Sequence, residues 1–153
     1  MNNKITSLKE KFRIALTSTA KVISEDFILK NRKLENSNTL DFDDIKNPND
    51  FIRMRAETDS DALKKKFSND LIHKKNLPSN NTSKLLYNIA EKIRYESLGG
   101  QMLKGIEKNF NKNYNLVINL KKKDQLKTKE DVTVVEAFEL YMLKNFHQIK
   151  LNP

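Results

Sequence analysis

The chain has 153 residues and a formal net charge of +9, a length that suits one domain with a buried core. It contains no cysteine, which excludes disulfides, thiolate metal sites and cysteine nucleophiles and fits a reducing compartment. No stretch of about 20 residues is apolar enough to cross a bilayer, and the N-terminus shows no signal peptide, so we expect a cytoplasmic protein.

The first predicted helix covers about Ser7 to Leu29. Its apolar side chains recur at spacings of three and four residues, which places them on one stripe. Ser7 as N-cap and Glu10 three residues later match a capping box. The stripe consists of Leu8, Phe12, Ala15, Leu16, Thr19, Ile23 and Phe27.

The second predicted helix begins at Asn47, with Pro48 at the first helical position, and ends near Asn69. Asp59 falls on its apolar stripe, so we expect this side chain to be partly buried and therefore paired. Arg55 precedes it by four residues, the spacing of side-chain neighbours on a helix.

The third predicted helix is capped by Thr82 or Ser83, and Gly99-Gly100 is predicted to break or kink it. The chain resumes helically to Phe110, and the Asn-rich residues 111–115 are predicted to end that helix. Thr133, with Glu136 three residues on, is predicted to cap a last helix.

These elements predict a mostly α fold, a multi-helix domain of four to five helices over residues 1–153. Two short apolar runs leave a small two-stranded β element around 27–42 and 114–121 open. Residues 121–131 are predicted to form a charged loop.

Searching for chemistry identifies no catalytic, cofactor-binding or metal-ligating residue. His73 and His147 each stand alone, and a lone histidine near a helix end is typical of a surface or capping residue. The chain has only three glycines and no phosphate-binding loop. The acidic run from Asp41 to Asp44 lacks the order and the glycine of a calcium loop.

Two segments carry more information than the rest. One is centred on Arg55 and Asp59, and the other contains Glu91 and Arg94 at a spacing of three residues. We hypothesise that these four side chains form one buried polar network that fixes the register of two helices. An internal role of this kind is favoured over direct binding of a partner.

The same segments resemble the N-terminal domain of CobT, a subunit of the aerobic cobaltochelatase. The first segment matches the family pattern at Arg55, Ala56, Asp59, Ala62, Leu63 and Lys66. The second segment matches it at Glu91, Arg94, Glu96, Leu98, Gly99, Met102 and Gly105. The phenylalanine-headed, threonine-containing run from Phe12 to Thr19 is also similar to the first helix of the family.

The resemblance implies a non-catalytic assembly role in an ATP-dependent complex that inserts cobalt into hydrogenobyrinic acid a,c-diamide during cobalamin biosynthesis. The implied partners are an AAA+ ATPase subunit and a large corrin-binding subunit. ATP, magnesium and cobalt would act at the level of the complex. The acidic linker and the C-terminal von Willebrand A-type domain of the family are absent from this sequence, so we expect an N-terminal part of such a subunit. Oligomerisation of the full-length protein stays open.

Two other functions remain to be weighed. The net charge of +9 is typical of a basic helical nucleic-acid-binding domain, but the lysines are scattered and lack interleaved aromatic residues. A compositional bias toward lysine and asparagine explains the charge as well. A stand-alone enzyme would need convergent carboxylates in a deep pocket, and we rank this third.

Overall fold

The computed structural model describes the backbone of residues 2–24, 45–124 and 132–149. Over these ranges the chain forms six helices and no strand, which confirms the mostly α fold. The helices are α1 (Asn2–Ser24), α2 (Pro48–Phe67), α3 (Asp70–Lys75), α4 (Asn81–Met102), α5 (Lys104–Asp124) and α6 (Val134–Phe146).

The chain divides into two compact units, Met1–Lys66 (unit 1) and Phe67–Pro153 (unit 2). The organisation of residues 1–153 as one domain stays a prediction.

The core of unit 1 is a small apolar cluster. Leu16 of α1, Ile45 and Met54 of α2 are buried, and Phe12 and Phe51 pack against them. The two phenylalanine rings meet edge to face with centroids 4.8 Å apart, a preferred aromatic geometry. Phe12 and Leu16 of the predicted apolar stripe therefore face a core, whereas Leu8 is 61% exposed and Ala15 is also exposed.

The predicted start of α1 is wrong. Ser7 lies inside the helix, which already begins at Asn2, because no glycine or proline interrupts the first residues. Glu10 consequently does not close a capping box but accepts a hydrogen bond of 2.9 Å from Arg13 Nε. The predicted end near Leu29 and the strand at 27–42 lie outside the described residues.

The predicted start of α2 is confirmed. Asn47 Oδ1 accepts hydrogen bonds from the N–H groups of Asn49 (2.9 Å) and Asp50 (3.3 Å). Asp50 Oδ2 accepts one in return from the Asn47 N–H at 2.9 Å, so the two side chains satisfy each other's free donors. The short helix α3, which we did not predict, begins in the same way, because Asn69 Oδ1 accepts from the N–H groups of the following turn.

Unit 2 is built around α4, which packs against both α5 and α6. The N-cap of α4 is Asn80, whose Oδ1 accepts a hydrogen bond from the Ser83 N–H. The N-caps predicted at Thr82 and Ser83 are therefore wrong, by two and three residues. α4 continues through Gly99-Gly100, so the predicted break there is also wrong.

Gly100 serves close packing and not a break. A Cβ atom built at this position would meet Glu107 Cβ at 3.4 Å, so the start of α5 passes directly over the glycine. The chain turns instead at Leu103, which has extended backbone angles (φ −134°, ψ 100°). Leu103 alone connects α4 to α5.

The predicted end of the helix at 111–115 and the strand at 114–121 are both wrong, because α5 runs without interruption to Asp124. The reason is the four-residue spacing of its buried side chains, which forms a helical stripe against α4. The stripe consists of Ile106, Phe110, Tyr114 and Ile118. The asparagines between them fall on other faces of the helix and do not end it.

The capping box of α6 is confirmed: the side chain of Thr133 accepts from Glu136 N–H, and the Glu136 carboxylate accepts from Thr133 N–H. At the other end, His147 is the C-cap, and Ile149 is buried. Gln148 between them has φ 52°, the left-handed region that favours glycine.

Replacing this residue by glycine should stabilise the protein. We expect Gln148→Gly to raise the free energy of unfolding by about 1 kcal/mol, because the left-handed conformation costs about that much for a residue with a Cβ atom. Chemical denaturation measures the change. Gln148→Ala is the matched control and should leave stability nearly unchanged; equal stability of the glycine and alanine variants would contradict the strain at this position.

Candidate functional site

A buried carboxylate lies at the centre of unit 2. Glu96 of α4 is 1% exposed, and Tyr114 of α5 and His147 beyond α6 are buried beside it. Lys92, one helical turn earlier, places its Nζ 3.9 Å from Glu96 Oε1. We call Lys92, Glu96, Tyr114 and His147 the Glu96 cluster.

Tyr114 donates a hydrogen bond to the buried carboxylate from α5. Its hydroxyl donates a short hydrogen bond to Glu96 Oε2, and the Lys92 ammonium lies 5.9 Å from the centre of its ring. Burial, and then the adjacent Glu96 charge, raise the pKa of the Tyr114 hydroxyl well above its ordinary value. The hydroxyl therefore stays protonated and keeps its role as donor at all ordinary pH values.

His147 completes the Glu96 cluster from the end of α6. Its ring centre lies 5.8 Å from that of Phe110 and 5.3 Å from that of Tyr114, and Nε2 lies 3.7 Å from Glu96 Oε2. Burial, with a smaller contribution from the charge of Lys92, lowers the pKa of His147 from 6.5 to about 4. The imidazole is therefore neutral at pH 7.

Removing the donor from this carboxylate should destabilise unit 2. We expect Tyr114→Phe to lower the free energy of unfolding by about 2 kcal/mol, because it takes a hydrogen bond from a buried charge. Tyr141→Phe is the matched control, since Tyr141 is 63% exposed and should tolerate the change. Equal denaturation midpoints for the two variants would show that the bond to Glu96 contributes nothing.

The low pKa of His147 should make stability depend on pH. Between pH 6.5 and 4 the unfolded chain binds a proton at this position that the folded chain does not bind. The free energy of unfolding should therefore fall by about 2 kcal/mol from pH 7 to pH 5.

Denaturation curves at these two pH values, recorded for the original chain and for His147→Gln, measure the effect. The variant should lose most of the decrease, whereas the control His73→Gln should retain it. A decrease of the same size in His147→Gln would assign the pH dependence to other groups.

A second cluster, at the surface of unit 2, contains two of the residues predicted for the polar network. Arg94 binds Glu91 through two hydrogen bonds, Nε to Oε2 at 2.7 Å and Nη2 to Oε1 at 2.8 Å. Arg94 Nη2 also donates to the Phe67 carbonyl, and Ser68 Oγ donates to Glu91 Oε1. The hydrogen bonds from Arg94, and to a lesser extent from Ser68, lower the pKa of Glu91. This cluster ties the chain before α3 to α4.

The other two predicted network residues pair in unit 1. Arg55 Nε lies 3.5 Å from Asp59 Oδ2, and the Asp59 side chain is fully buried while Arg55 is one third exposed. The burial and pairing expected for Asp59 are therefore confirmed. The joining of this pair with Glu91 and Arg94 into one network stays a prediction.

Sequence reasoning missed the Glu96 cluster. Glu96 was noted only as part of a motif, and the solitary His147 was expected to lie at the surface or to cap a helix. His147 does cap α6, but it is 4% exposed. The sequence does contain one signal for part of this cluster. Phe110 and Tyr114 are four residues apart, a spacing that predicts that both rings face the core.

The polar clusters around Glu96 and Glu91 suit a role in holding the helices together better than a role in catalysis. In the Glu96 cluster, Glu96, Tyr114 and His147 are buried while Lys92 is half exposed, and the Glu91 carboxylate is held by Arg94 and Ser68. Among the residues that the structure describes, no three histidine or acidic side chains converge as a metal ion would require. The described helices likewise include none with the length and apolar content for crossing a membrane.

Comparison with known proteins gives one match. The model of the family described as "Cobalamin biosynthesis protein CobT" matches residues 6–146 of this chain. No curated protein and no solved structure gives a significant match.

Proposed function

This chain belongs to the CobT family of cobalamin biosynthesis proteins, and from that premise we propose that it is a non-catalytic assembly module of the ATP-dependent cobaltochelatase. In this proposal it binds the AAA+ ATPase subunit and the large corrin-binding subunit in the cytoplasm. The complex inserts cobalt into hydrogenobyrinic acid a,c-diamide. ATP, magnesium and cobalt are bound elsewhere in the complex, and cobalt is a substrate.

The family match over residues 6–146 is the observation that carries the proposal. The geometry supports a role in contacts over one in chemistry. Within the two motif segments, the charged side chains of Asp59, Glu91, Arg94 and Glu96 all make polar contacts inside the chain. A catalytic group would need access to a substrate, and the buried carboxylates of Asp59 and Glu96 have none.

Retention of the two partner subunits by the immobilised chain tests the proposal. We expect the AAA+ subunit to be retained at moderate salt, and retention to differ with and without ATP because the ATPase changes conformation on binding nucleotide. The large subunit should be retained when the AAA+ subunit is present. An unrelated basic helical protein of equal net charge serves as the control for non-specific adsorption.

Failure to retain either subunit above this control would contradict the assembly role. Salt-sensitive binding to DNA of mixed sequence, in the same experiment, would instead support the nucleic-acid function, because binding to phosphates weakens steeply with salt.

A further inference from the structure

The connection between α4 and α5 presents two exposed apolar side chains. Met102 is 58% exposed and Leu103 is 47% exposed, and they are adjacent at the one-residue turn. We call Met102 and Leu103 the hairpin tip. Exposed apolar side chains are ordinary on a protein surface, so the case for this pair depends on the ordered turn that holds it and on the charges beside it.

The backbone holds the hairpin tip in one conformation. Leu103 N–H donates to the Gly99 carbonyl at 2.9 Å, and the Leu103 carbonyl accepts from Ile106 at 2.9 Å and from Glu107 at 3.3 Å. Glu107 of α5 also lies directly over Gly100 of α4, so the two helices are in contact beside the hairpin tip. A preordered surface loses little conformational entropy when it binds.

A row of positive charge begins next to the hairpin tip. Lys104, Lys108 and Lys112 of α5 are exposed and four residues apart, so they follow one another along the helix over about 12 Å. None of the three makes an ion pair with a described residue. We call these three lysines the lysine row.

The start of α5 also has open space beside it. Gly105 has no positive φ, and a Cβ atom built there would have no neighbour within 4 Å. The surface between the hairpin tip and the lysine row is therefore uncovered by the described chain.

We infer that the hairpin tip and the lysine row together form the surface that docks an acidic segment of a partner protein, with Met102 and Leu103 entering an apolar pocket that carboxylates surround. The inference rests on the proposed assembly function and names the surface used. Aliphatic anchors in a pocket supply most of the affinity of such interfaces, and charge complementarity supplies rate and orientation.

An acidic protein fits this surface better than a nucleic acid does. The hairpin tip offers apolar contacts that phosphates cannot use. Both aromatic rings of α5, Phe110 and Tyr114, are buried, so none is available to stack on bases.

Quantitative binding of the AAA+ subunit and of the large subunit tests the inference. We expect Met102→Glu to weaken the binding of one of these subunits by about tenfold or more. Lys108→Glu should weaken the same binding by about threefold to tenfold, and this effect should shrink at high salt. The matched controls are Leu85→Glu, at an apolar residue 52% exposed on α4, and Lys144→Glu on α6. Both should remain within about twofold of the original chain.

The possible outcomes distinguish the inferred docking surface from the proposed assembly function. Normal binding of both subunits by Met102→Glu and Lys108→Glu would overturn the docking surface and leave the assembly function standing. Absence of binding by the original chain would overturn both. Loss of DNA binding in Lys108→Glu but not in Met102→Glu, without an effect on either subunit, would assign the lysine row to nucleic acid and also overturn the inference.

Discussion

The carboxylate of Glu96 lies in the core of unit 2 with 1% of its side chain exposed, and the packing of three helices has to satisfy it. An unpaired buried charge would destabilise the fold by several kcal/mol. Tyr114 of α5 and Lys92 of α4 stabilise the Glu96 carboxylate from two directions. His147, the C-cap of α6, packs against the ring of the same tyrosine. The hydrogen bond therefore selects one register of α5 against α4, because a shift of one turn would remove the donor.

Other charged residues of the motif segments are also paired inside the chain, as Glu96 is. Charged side chains of the two motif segments make contacts inside their own units: Asp59 with Arg55, Glu91 with Arg94, and Glu96 with Tyr114. The docking surface that we infer uses exposed side chains instead, those of the hairpin tip and the lysine row. In the proposed assembly function, the chain acts through the shape and charge of that surface.

Helix existence was predictable from the sequence, because apolar periodicity and caps such as Asn47 and Thr133 are local signals. The predicted helix ends are wrong where tertiary packing overrides the local conformational preference of the residues. Gly99-Gly100 looks like a break, yet α4 continues to Met102 and Glu107 of α5 packs over Gly100. The asparagines at 111–115 look like a helix end, yet Tyr114 is held by Glu96. Pairs within one helix, such as Arg55–Asp59 and Lys92–Glu96, follow from spacing alone. The hydrogen bond between Tyr114 and Glu96 joins residues 18 positions apart, and no local spacing indicates that these two side chains meet.

The central claim is that this chain supplies contacts and no chemistry, and cobalt insertion by the complete reconstituted complex tests it most directly. The insertion rate is measured against increasing concentration of the full-length protein, carrying either the original sequence or Glu96→Gln. The account predicts that the variant raises the concentration needed for half-maximal rate but reaches the same plateau, because a weakened fold lowers assembly alone. A lower plateau with complete assembly would show that Glu96 takes part in the reaction and would contradict the account.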